Sequence, residues 1–442
     1  MYRFVSLLPA AAFLGAVLSS CEKKPLADGG AKVVVVRTAA SDIKDLDEIA
    51  PYDEALVWHE YEVKEVLEGI LTAPKIRVAH WSVIRGKNVA VGSTLGETTE
   101  LKIRPYDKDD KENFTDVVIS DDLDIVAEEP PRFMDMGSIL AQGQTPGAVR
   151  YDYDSLYSDQ MQLYWQLRHQ LELVVLGNSH AAKGIRPSML LGEANKNTPQ
   201  AFNMGAGGAN VDMQCMLARD YILPLPKLKT LVWLVSARTF NEELSNTQRR
   251  FDIFKSSPGY DYDREHWNEL WPVSKDAPQT TVADLQKLSL NLKKLDPWGW
   301  SGRDKTLDAK GLSLLPEKLS HQDFDFDKKA WKTFASVVNE ATAKGVKVYI
   351  MTSPIHPLSK DTPAADPDGS THQGQAETVA RLKELDASNP LVWFWDVNKS
   401  GAHDFEPEQF YDVDHLNLNG ATDLTQRVAT WITETQNAAV KN

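Results

Sequence analysis

Cysteine and basic charge are both scarce in this chain. Only two cysteines, Cys21 and Cys215, occur among 442 residues, so a disulfide framework is excluded. The formal net charge is -15 and there is no long basic run, which argues against nucleic-acid binding. Hydrophobic residues make up 42% of the chain and charged residues 25%, an ordinary globular balance with enough length for two domains.

Two common ligand-binding signatures are also missing. The glycine-rich stretch at 203–208 lacks the G-x-G-x-x-G spacing of a dinucleotide-binding turn. The alternating acids at 323–327 lack the glycine and the terminal glutamate of an EF-hand, and we interpret them as a loop that leads into a helix N-terminus. The acidic run at 108–113 is interpreted as a solvated loop. We therefore expect neither a cofactor nor a metal.

The most informative stretch is LELVVLGNSH at 171–180. A short, non-alternating apolar run that ends in a turn is typical of a strand buried on both faces, as in a parallel sheet. Ser179 would then lie at the carboxyl end of a central strand and at the start of a helix. In open α/β sheets ligands bind in that crevice, and the free N–H groups of the helix start favour negative charge there.

Strands and helices alternate from this point to the C-terminus, which predicts a parallel sheet with right-handed crossovers. The predicted strands lie at 171–176, 201–204, 230–235, 346–352 and 391–396, and the predicted helices at 152–169, 211–221, 328–344 and 421–433. Distinctive residues follow each strand in turn: Ser179, Gly208, the run 236–241, the run 353–356, and finally Asp412 with His415. Because the carboxyl ends of parallel strands share one edge of a sheet, we expect these residues to converge.

A second informative stretch is FYDVDHLNLNG at 410–420. The spacing of Asp412 and His415 lets the carboxylate accept the Nδ1 proton of the imidazole and leaves Nε2 free as a base. Together with Ser179 these residues have the roles of an acyl-transfer triad. Asp414 is the alternative acid, and it is less favoured because adjacent side chains rarely face each other across one loop.

These two blocks resemble those of the SGNH (GDSL-like) hydrolases. The family's first block, G-D-S, appears here as Gly177-Asn-Ser179, and its last block, D-x-x-H-L-N, appears at 412–417. Over 165–435 the resemblance implies a flavodoxin-like, five-stranded parallel sheet of strand order 2-1-3-4-5 and a Ser-His-Asp mechanism. The first block departs from the family at Asn178, where aspartate is usual.

The resemblance also implies an oxyanion hole. Its donors would be the N–H groups of Ser179 and Gly208, with Gly205 as the fallback for the second; a flexible turn that uses glycine for positive φ is the other interpretation. The family's third block, G-x-N-D, is absent after the third strand. Asn241 stands about three residues late for that role, and Arg238 is the alternative donor. The candidate substrate contacts are His180, Arg238 and His356.

A segment of different character precedes the α/β region. Short strands with alternating apolar positions and turn signals predict a small all-β sandwich or barrel domain at 32–130. The strands are predicted at 32–37, 55–68, 75–84, 101–104 and 116–119. A Pro-Pro pair at 130–131 marks the boundary before the α/β domain at 150–442. The aromatic-rich insertion at 242–327 is either a lid or sugar-stacking wall, or a helical subdomain that buries its own tryptophans.

The N-terminus has the features of an export signal. Residues 1–20 combine one basic residue with an apolar core too short to span a membrane. The ending LSSC at 18–21 resembles the bacterial lipobox, which implies lipidation of Cys21, with residues 21–31 as a tether; a plain cleaved signal is the alternative. Because Glu22 follows the cysteine, the resemblance implies an outer-membrane location facing the periplasm or the outside. Cys215 is interpreted as a small buried hydrophobe.

These features together predict a lipid-anchored serine esterase of the bacterial cell envelope. Its substrates would be O-acyl groups, chiefly O-acetyl, of carbohydrate or other envelope molecules. An O-acyltransferase of cell-surface polysaccharide would use the same triad. A non-catalytic binding lipoprotein on a decayed SGNH fold is the third alternative, which the missing third block favours.

Overall fold

The computed structural model describes most of the chain from Gly30 onward. The described residues are 30–440 except 53, 85–86, 89–90, 92–93, 107–116, 137–150, 154–155, 243–244, 266, 268–270, 272–276, 289–293, 321 and 368. The predicted signal peptide at 1–20, Cys21 with most of the 21–31 tether, and the acidic run at 108–113 lie outside the described residues. Parts of the insertion at 242–327 lie outside them as well.

The N-terminal part of the described chain forms a mixed β-sheet that closes on itself. Its strands are β1 Ala31–Ala40, β2 Ala55–Gly69, β3 Lys75–Ile84, β4 Lys87–Asn88, β5 Thr98–Pro105, β6 Val118–Ser120 and β7 Arg132–Asp135. The strand order is β4-β3-β7-β5-β1-β2-β6, and β3 also pairs with β2. This additional pairing closes a barrel of five strands: β3, β7, β5, β1 and β2. Most pairs are antiparallel, whereas β2 with β6 and β3 with β7 are parallel.

Alternation along the strands fills the interior of this barrel. In β1 the side chains of Val33 and Val35 are fully buried while their neighbours are partly exposed. Trp58 and Trp81 are buried, with exposed fractions of 2% and 1%, and belong to a hydrophobic cluster of the barrel. The sequence pattern does not predict strand β7, because it is only four residues long and directly follows the Pro-Pro pair.

The second sheet is entirely parallel and contains five strands. They are β8 Leu173–Leu176, β9 Ala201–Asn203, β10 Thr230–Val235, β11 Lys347–Thr352 and β12 Val392–Trp395. Their spatial order is β9-β8-β10-β11-β12, so the second strand in the chain lies outside the first and the others follow in sequence. Every pairing in the register is parallel. The strand order 2-1-3-4-5 is therefore present.

The parallel sheet is buried on both faces, as its continuous apolar runs predict. Val174 and Leu176 of β8 belong to one hydrophobic cluster, whereas Leu173 and Val175 belong to another on the opposite face. The second cluster includes Leu424 and Val428 of the C-terminal helix. The protein is thus a mixed α/β structure in which helices cover both sides of one sheet.

The helices connect and flank these strands. They are α1 Leu46–Ile49, α2 Tyr157–Leu167, α3 Ser179–Gly184, α4 Ala194–Asn197, α5 Val211–Leu217, α6 Ser245–Lys255, α7 Pro258–Glu265, α8 Val282–Leu285, α9 Ala309–Lys318, α10 Lys328–Ala343, α11 His372–Ser388 and α12 Leu418–Val440. A π-helical turn, Ala218–Ile222, extends α5, and short 3-10 turns include Ala237–Phe240 and Pro357–Asp361. Within the described part of the chain, none of the helices is both long and apolar enough to cross a bilayer.

Candidate active site

Ser179 lies at a sharp turn between β8 and α3. Gly177 has φ +149°, and a Cβ there would lie 2.7 Å from the carbonyl oxygen of Leu234 and 2.8 Å from Cβ of Ala181, so the turn requires glycine. Asn178 caps α3, because its side-chain oxygen accepts the N–H of His180 at 3.0 Å. Aspartate and asparagine are both good helix caps, so the departure from the G-D-S pattern preserves the local geometry.

Asn203, at the end of β9, holds α3 in place. Its side-chain N–H groups donate to the carbonyls of Ala181 at 2.7 Å and Ile185 at 2.9 Å. Its side-chain oxygen accepts the N–H of Gly205 at 2.8 Å. The side chain is fully buried and every polar atom of its amide is used. Asn203 is absent from the predicted site residues, although its position just before the glycine-rich turn is a signal that could have found it.

The predicted triad residues are in direct contact. His415 Nε2 lies 2.7 Å from Oγ of Ser179, and His415 Nδ1 lies 2.9 Å and 3.0 Å from the two carboxylate oxygens of Asp412. Oδ1 of Asp412 also accepts the backbone N–H groups of Asp414 at 3.1 Å and His415 at 2.8 Å. Asp412 therefore shapes the loop as well as facing the imidazole. These three groups have the geometry that activation of a serine hydroxyl requires.

A second carboxylate reaches the same imidazole. Oδ1 of Asp414 lies 3.1 Å from Nδ1 of His415, and its Oδ2 lies 3.1 Å from Nε2 of His180. The Asp414 side chain is only 10% exposed, against 33% for Asp412. The sequence pattern presents the two acids as alternatives, whereas both contact His415 in the structure.

Charge determines the protonation of this cluster. Burial acts to lower the pKa of His415, but the negative charge of Asp414 and the contacts with Asp412 outweigh it and raise that pKa to about 9. Burial would raise the pKa of Asp414, yet the positive charge of His415 and the hydrogen bond from His180 hold it well below its usual range. These shifts favour a charged imidazole of His415 beside an ionised Asp414 near neutral pH.

His180 and Arg238 lie beside the triad. Burial lowers the pKa of His180, the contact with Asp414 opposes this effect, and the positive charges of His415 and Arg238 add to it. The ring centroid of His180 is 5.1 Å from that of His415. His180 is only 5% exposed, so its side chain faces the protein interior. Arg238, on the 3-10 turn after β10, is partly exposed.

The glycine-rich turn after β9 lies next to α3. A Cβ on Gly205 would lie 2.4 Å from the backbone nitrogen of Ala182, so the turn approaches α3 closely. Because the N–H of Gly205 is bonded to Asn203, this residue is poorly suited to oxyanion binding. Gly208 has φ +72° and is partly exposed, and Arg250 covers it by donating to the carbonyl of Gly207 at 2.9 Å.

Two other predicted site residues have structural partners. The Asn241 amide donates to the carbonyl of Asp323 at 2.8 Å and accepts the N–H of Asp325 at 3.2 Å. Those two bonds hold the loop before α10 and engage both the nitrogen and the oxygen of the Asn241 side-chain amide. His356 is 4% exposed, and its backbone N–H donates to the carbonyl of Val413 at 2.9 Å, which supports the loop that carries Asp412 and His415.

The segment 296–307 of the insertion links the two ends of the triad. At one end Nε1 of Trp300 donates to the carbonyl of Lys183 on α3 at 2.8 Å. At the other end the N–H of Leu307 donates to the carbonyl of Phe410 at 2.9 Å. Tryptophans of the insertion thus pack against the α/β core, and this segment supports both halves of the site. Its distance from the triad in sequence gives no signal of this contact.

Among the described residues, one cluster has three side chains with possible metal-ligand atoms within 4.8 Å of one another. It consists of His180, Asp414 and His415. The hydrogen bond between His180 and Asp414, the ion pair of Asp414 with His415 and the hydrogen bond of His415 to Ser179 account for this proximity. The cluster is therefore explained without a metal ion.

Comparisons with known proteins leave the family open. No family model matches the chain, and no curated protein matches it either. A solved structure to which the chain is similar is that of a "putative acylhydrolase" from Bacteroides fragilis, at 14% identity, over 62% of this chain and 96% of that chain, with a TM-score of 0.33.

Proposed function

We propose that this protein is an SGNH-like serine esterase that removes O-acyl groups, chiefly acetyl, from carbohydrate or other envelope substrates. The observation that carries the proposal is the continuous contact from Ser179 through His415 to a carboxylate. These residues come from opposite ends of the α/β region, 236 positions apart in the chain, yet meet at one sheet edge. The strand order 2-1-3-4-5 agrees with the flavodoxin-like arrangement that this assignment requires.

In the acylation step, Oγ of Ser179 attacks the ester carbonyl and its proton passes to Nε2 of His415. The carbonyl oxygen becomes an oxyanion, which is stabilised by the backbone N–H of Ser179 at the free N-terminus of α3 and by that of Gly208. The tetrahedral intermediate collapses when His415 gives the proton to the departing alcohol oxygen. An acyl-serine remains, and Asp412 keeps the imidazole oriented throughout.

Deacylation repeats these steps with an incoming hydroxyl. His415 takes a proton from water as it attacks the acyl-serine, and the proton then returns to Oγ of Ser179 as the carboxylic acid leaves. If a sugar hydroxyl replaces water, the same residues transfer the acyl group, so the acyltransferase alternative differs only in the acceptor. Arg238 is the proposed third contact for the oxyanion, because the side chain of Asn241 is engaged with the loop at 323–325.

We further propose that the protein is lipid-anchored through Cys21 and acts at the cell envelope, where acylated surface glycans are found. The support is the sequence pattern at 18–21 alone. Growth with labelled palmitate would test this part separately: the wild-type chain should incorporate label and Cys21→Ala should not.

The enzymatic proposal is tested by labelling a purified form that begins after Cys21 with a fluorophosphonate probe. Wild type should react, whereas Ser179→Ala and His415→Ala should not. Ser313→Ala is the matched control, because Ser313 is an exposed serine on α9 whose hydroxyl donates to the carbonyl of Lys310 in the same helix, and it should label like wild type.

Turnover then distinguishes the remaining functions. Release of acetate from an acetylated glycan identifies a hydrolase, and formation of a new acetyl ester on an added sugar identifies a transferase. If wild type neither labels nor turns over any acetyl ester, the enzymatic proposal is wrong and the binding-protein alternative gains support.

A further inference from the structure

We propose that Asp414 is a second orienting carboxylate for His415, and that His180 is the positioning residue that holds Asp414 in place. This inference rests on the proposed function. Asp414 uses one oxygen for each imidazole, at 3.1 Å from Nδ1 of His415 and 3.1 Å from Nε2 of His180. The carboxylate thus bridges two histidines, one on the nucleophile turn and one on the loop after the last strand.

Asp412 and Asp414 compete for the single hydrogen on Nδ1 of His415. Three carboxylate oxygens lie within 3.1 Å of Nδ1 of His415, two from Asp412 and one from Asp414, but the nitrogen carries only one hydrogen. Oδ1 of Asp412 already accepts two backbone N–H groups, and Asp412 is the more exposed of the two acids. Asp414 is the better buried, so its charge acts on the imidazole with less screening.

The bond to Asp414 fixes the tautomer of His180. An ionised carboxylate only accepts hydrogen bonds, so Nε2 of His180 must carry the proton that it shares with Oδ2. Nδ1 of His180 is buried and has no hydrogen-bond partner among the described residues. A neutral imidazole with its proton on Nε2 satisfies both conditions, whereas an imidazolium would bury an unpaired N–H. His180 therefore acts as a neutral donor.

The arrangement couples the two halves of the site. His180 directly follows Ser179, and its backbone N–H is held by Asn178. Its side chain bonds to Asp414, 234 residues later in the chain, and so connects this turn to the loop that carries His415. A shift of the nucleophile turn would break the bond to Asp414, so the hydroxyl of Ser179 and the ring of His415 are kept in register. His180 is thus a positioning residue and not a substrate contact.

The first test compares two replacements of His180. Gln places an N–H close to the position of Nε2, whereas Leu fills similar space without any donor. We expect His180→Leu to lower kcat by about ten- to a hundredfold, with KM changed little, because a hydrogen bond to a charged acceptor is lost. His180→Gln should recover most of that loss. Equal kcat values for the two variants would overturn the role of His180.

The second test uses pH profiles of kcat/KM. Removing the charge in Asp414→Asn should move the acidic limb to lower pH by about one unit or more, since a nearby opposite charge stabilises the imidazolium. In His180→Leu the acidic limb should move to higher pH, because Asp414 no longer accepts a hydrogen bond from His180 and its full negative charge then stabilises the imidazolium of His415. Asp412→Asn is the matched comparison and should move the limb less than Asp414→Asn. A larger shift in Asp412→Asn would show that Asp412 is the dominant acid.

A third measurement is independent of turnover, so it separates this inference from the proposed function. Imidazole ¹⁵N spectra of the Ser179→Ala protein, assigned by substitution of single histidines, should show His180 neutral with its proton on Nε2 across neutral pH. The titration of His415 should move to lower pH in Ser179→Ala/Asp414→Asn. A His180 that titrates near its ordinary value, or a His415 unaffected by loss of Asp414, would refute the bridge even if the enzyme is active. If wild type fails to react with the probe while the spectra show the expected states of His180 and His415, only the enzymatic role would be refuted.

Discussion

The raised pKa of His415 predicts an unusually alkaline activity profile. A base works only in its unprotonated form, and the acidic limb of kcat/KM reports its pKa in the free enzyme. With a pKa of about 9, roughly 1% of His415 is unprotonated at pH 7. The rate constant should therefore rise about a hundredfold between pH 7 and its alkaline plateau.

The assay is the second-order rate of fluorophosphonate labelling from about pH 5.5 to 10.5, which brackets that pKa. Labelling avoids the spontaneous hydrolysis of activated esters in alkaline buffer, and each reaction is stopped early so that slow unfolding does not contribute. Ser179→Ala provides the background at each pH. A limb centred between about pH 6 and 7, the range of an ordinary histidine, would refute the reasoning, because the two carboxylates would then not stabilise the imidazolium as their distances require.

The same shift affects stability with a definite sign. The folded pKa of His415 lies above the unfolded value near 6.5, so its contribution is fully present below about pH 6.5 and is lost as pH rises through about 9. The free energy of unfolding of wild type should therefore fall across that window. His415→Gln should show a smaller fall, and identical slopes for the two proteins would contradict the assigned pKa.

Three further perturbations test the scaffold. Gly177→Ala should lower the free energy of unfolding, measured in urea, by about 1–3 kcal/mol and abolish labelling, because the new Cβ would lie 2.7 Å from the carbonyl oxygen of Leu234. Gly345→Ala is the control. Gly345 also has a positive φ, +79°, but a Cβ there would meet nothing within 4 Å, so this variant should lose less stability and label like wild type. Asn203→Leu leaves the buried carbonyl of Ile185 without the amide donor and the buried N–H of Gly205 without its acceptor, and should cost about 2–6 kcal/mol by the same measurement. Burial raises the pKa of Asp263 to about 7, so the stability that it contributes is present below about pH 4 and is lost as pH rises through 7. The melting temperature of wild type should therefore fall relative to that of Asp263→Asn between about pH 4 and 7, and the difference should level off above about pH 8.

The parallel sheet is predictable because each of its strands is a continuous apolar run, and the predicted strand at 230–235 has the bounds of Thr230–Val235. Ser179 is also identifiable because it closely follows such a run, and His415 because it stands three residues after Asp412. The barrel strand Arg132–Asp135 is not, because four residues after two prolines carry too little periodicity. Its partners, β3 and β5, lie far earlier in the chain, so only the tertiary structure shows that it closes the barrel.

The role of Asp414 illustrates a different limit of sequence reasoning. Spacing alone favours Asp412, because a carboxylate three residues before a histidine can reach its Nδ1. The structure adds that Asp412 draws the N–H of Asp414 toward itself, which turns the loop so that both acids face the ring. The partner that orders Asp414 is His180, 234 residues away. No local pattern could supply that contact.

A second carboxylate is also consistent with the missing third block. Loss of one oxyanion donor typically costs a factor of about 100–1000 in rate. In the proposed mechanism, Asp414 would stabilise the positive charge that develops on His415 when Ser179 is deprotonated, whereas the oxyanion donors would stabilise the negative charge in the same transition state. Because this stabilisation also protonates the resting histidine, its benefit is realised only at alkaline pH. A weak oxyanion hole and an alkaline profile would then be linked through one structural feature, the charge of Asp414 beside His415.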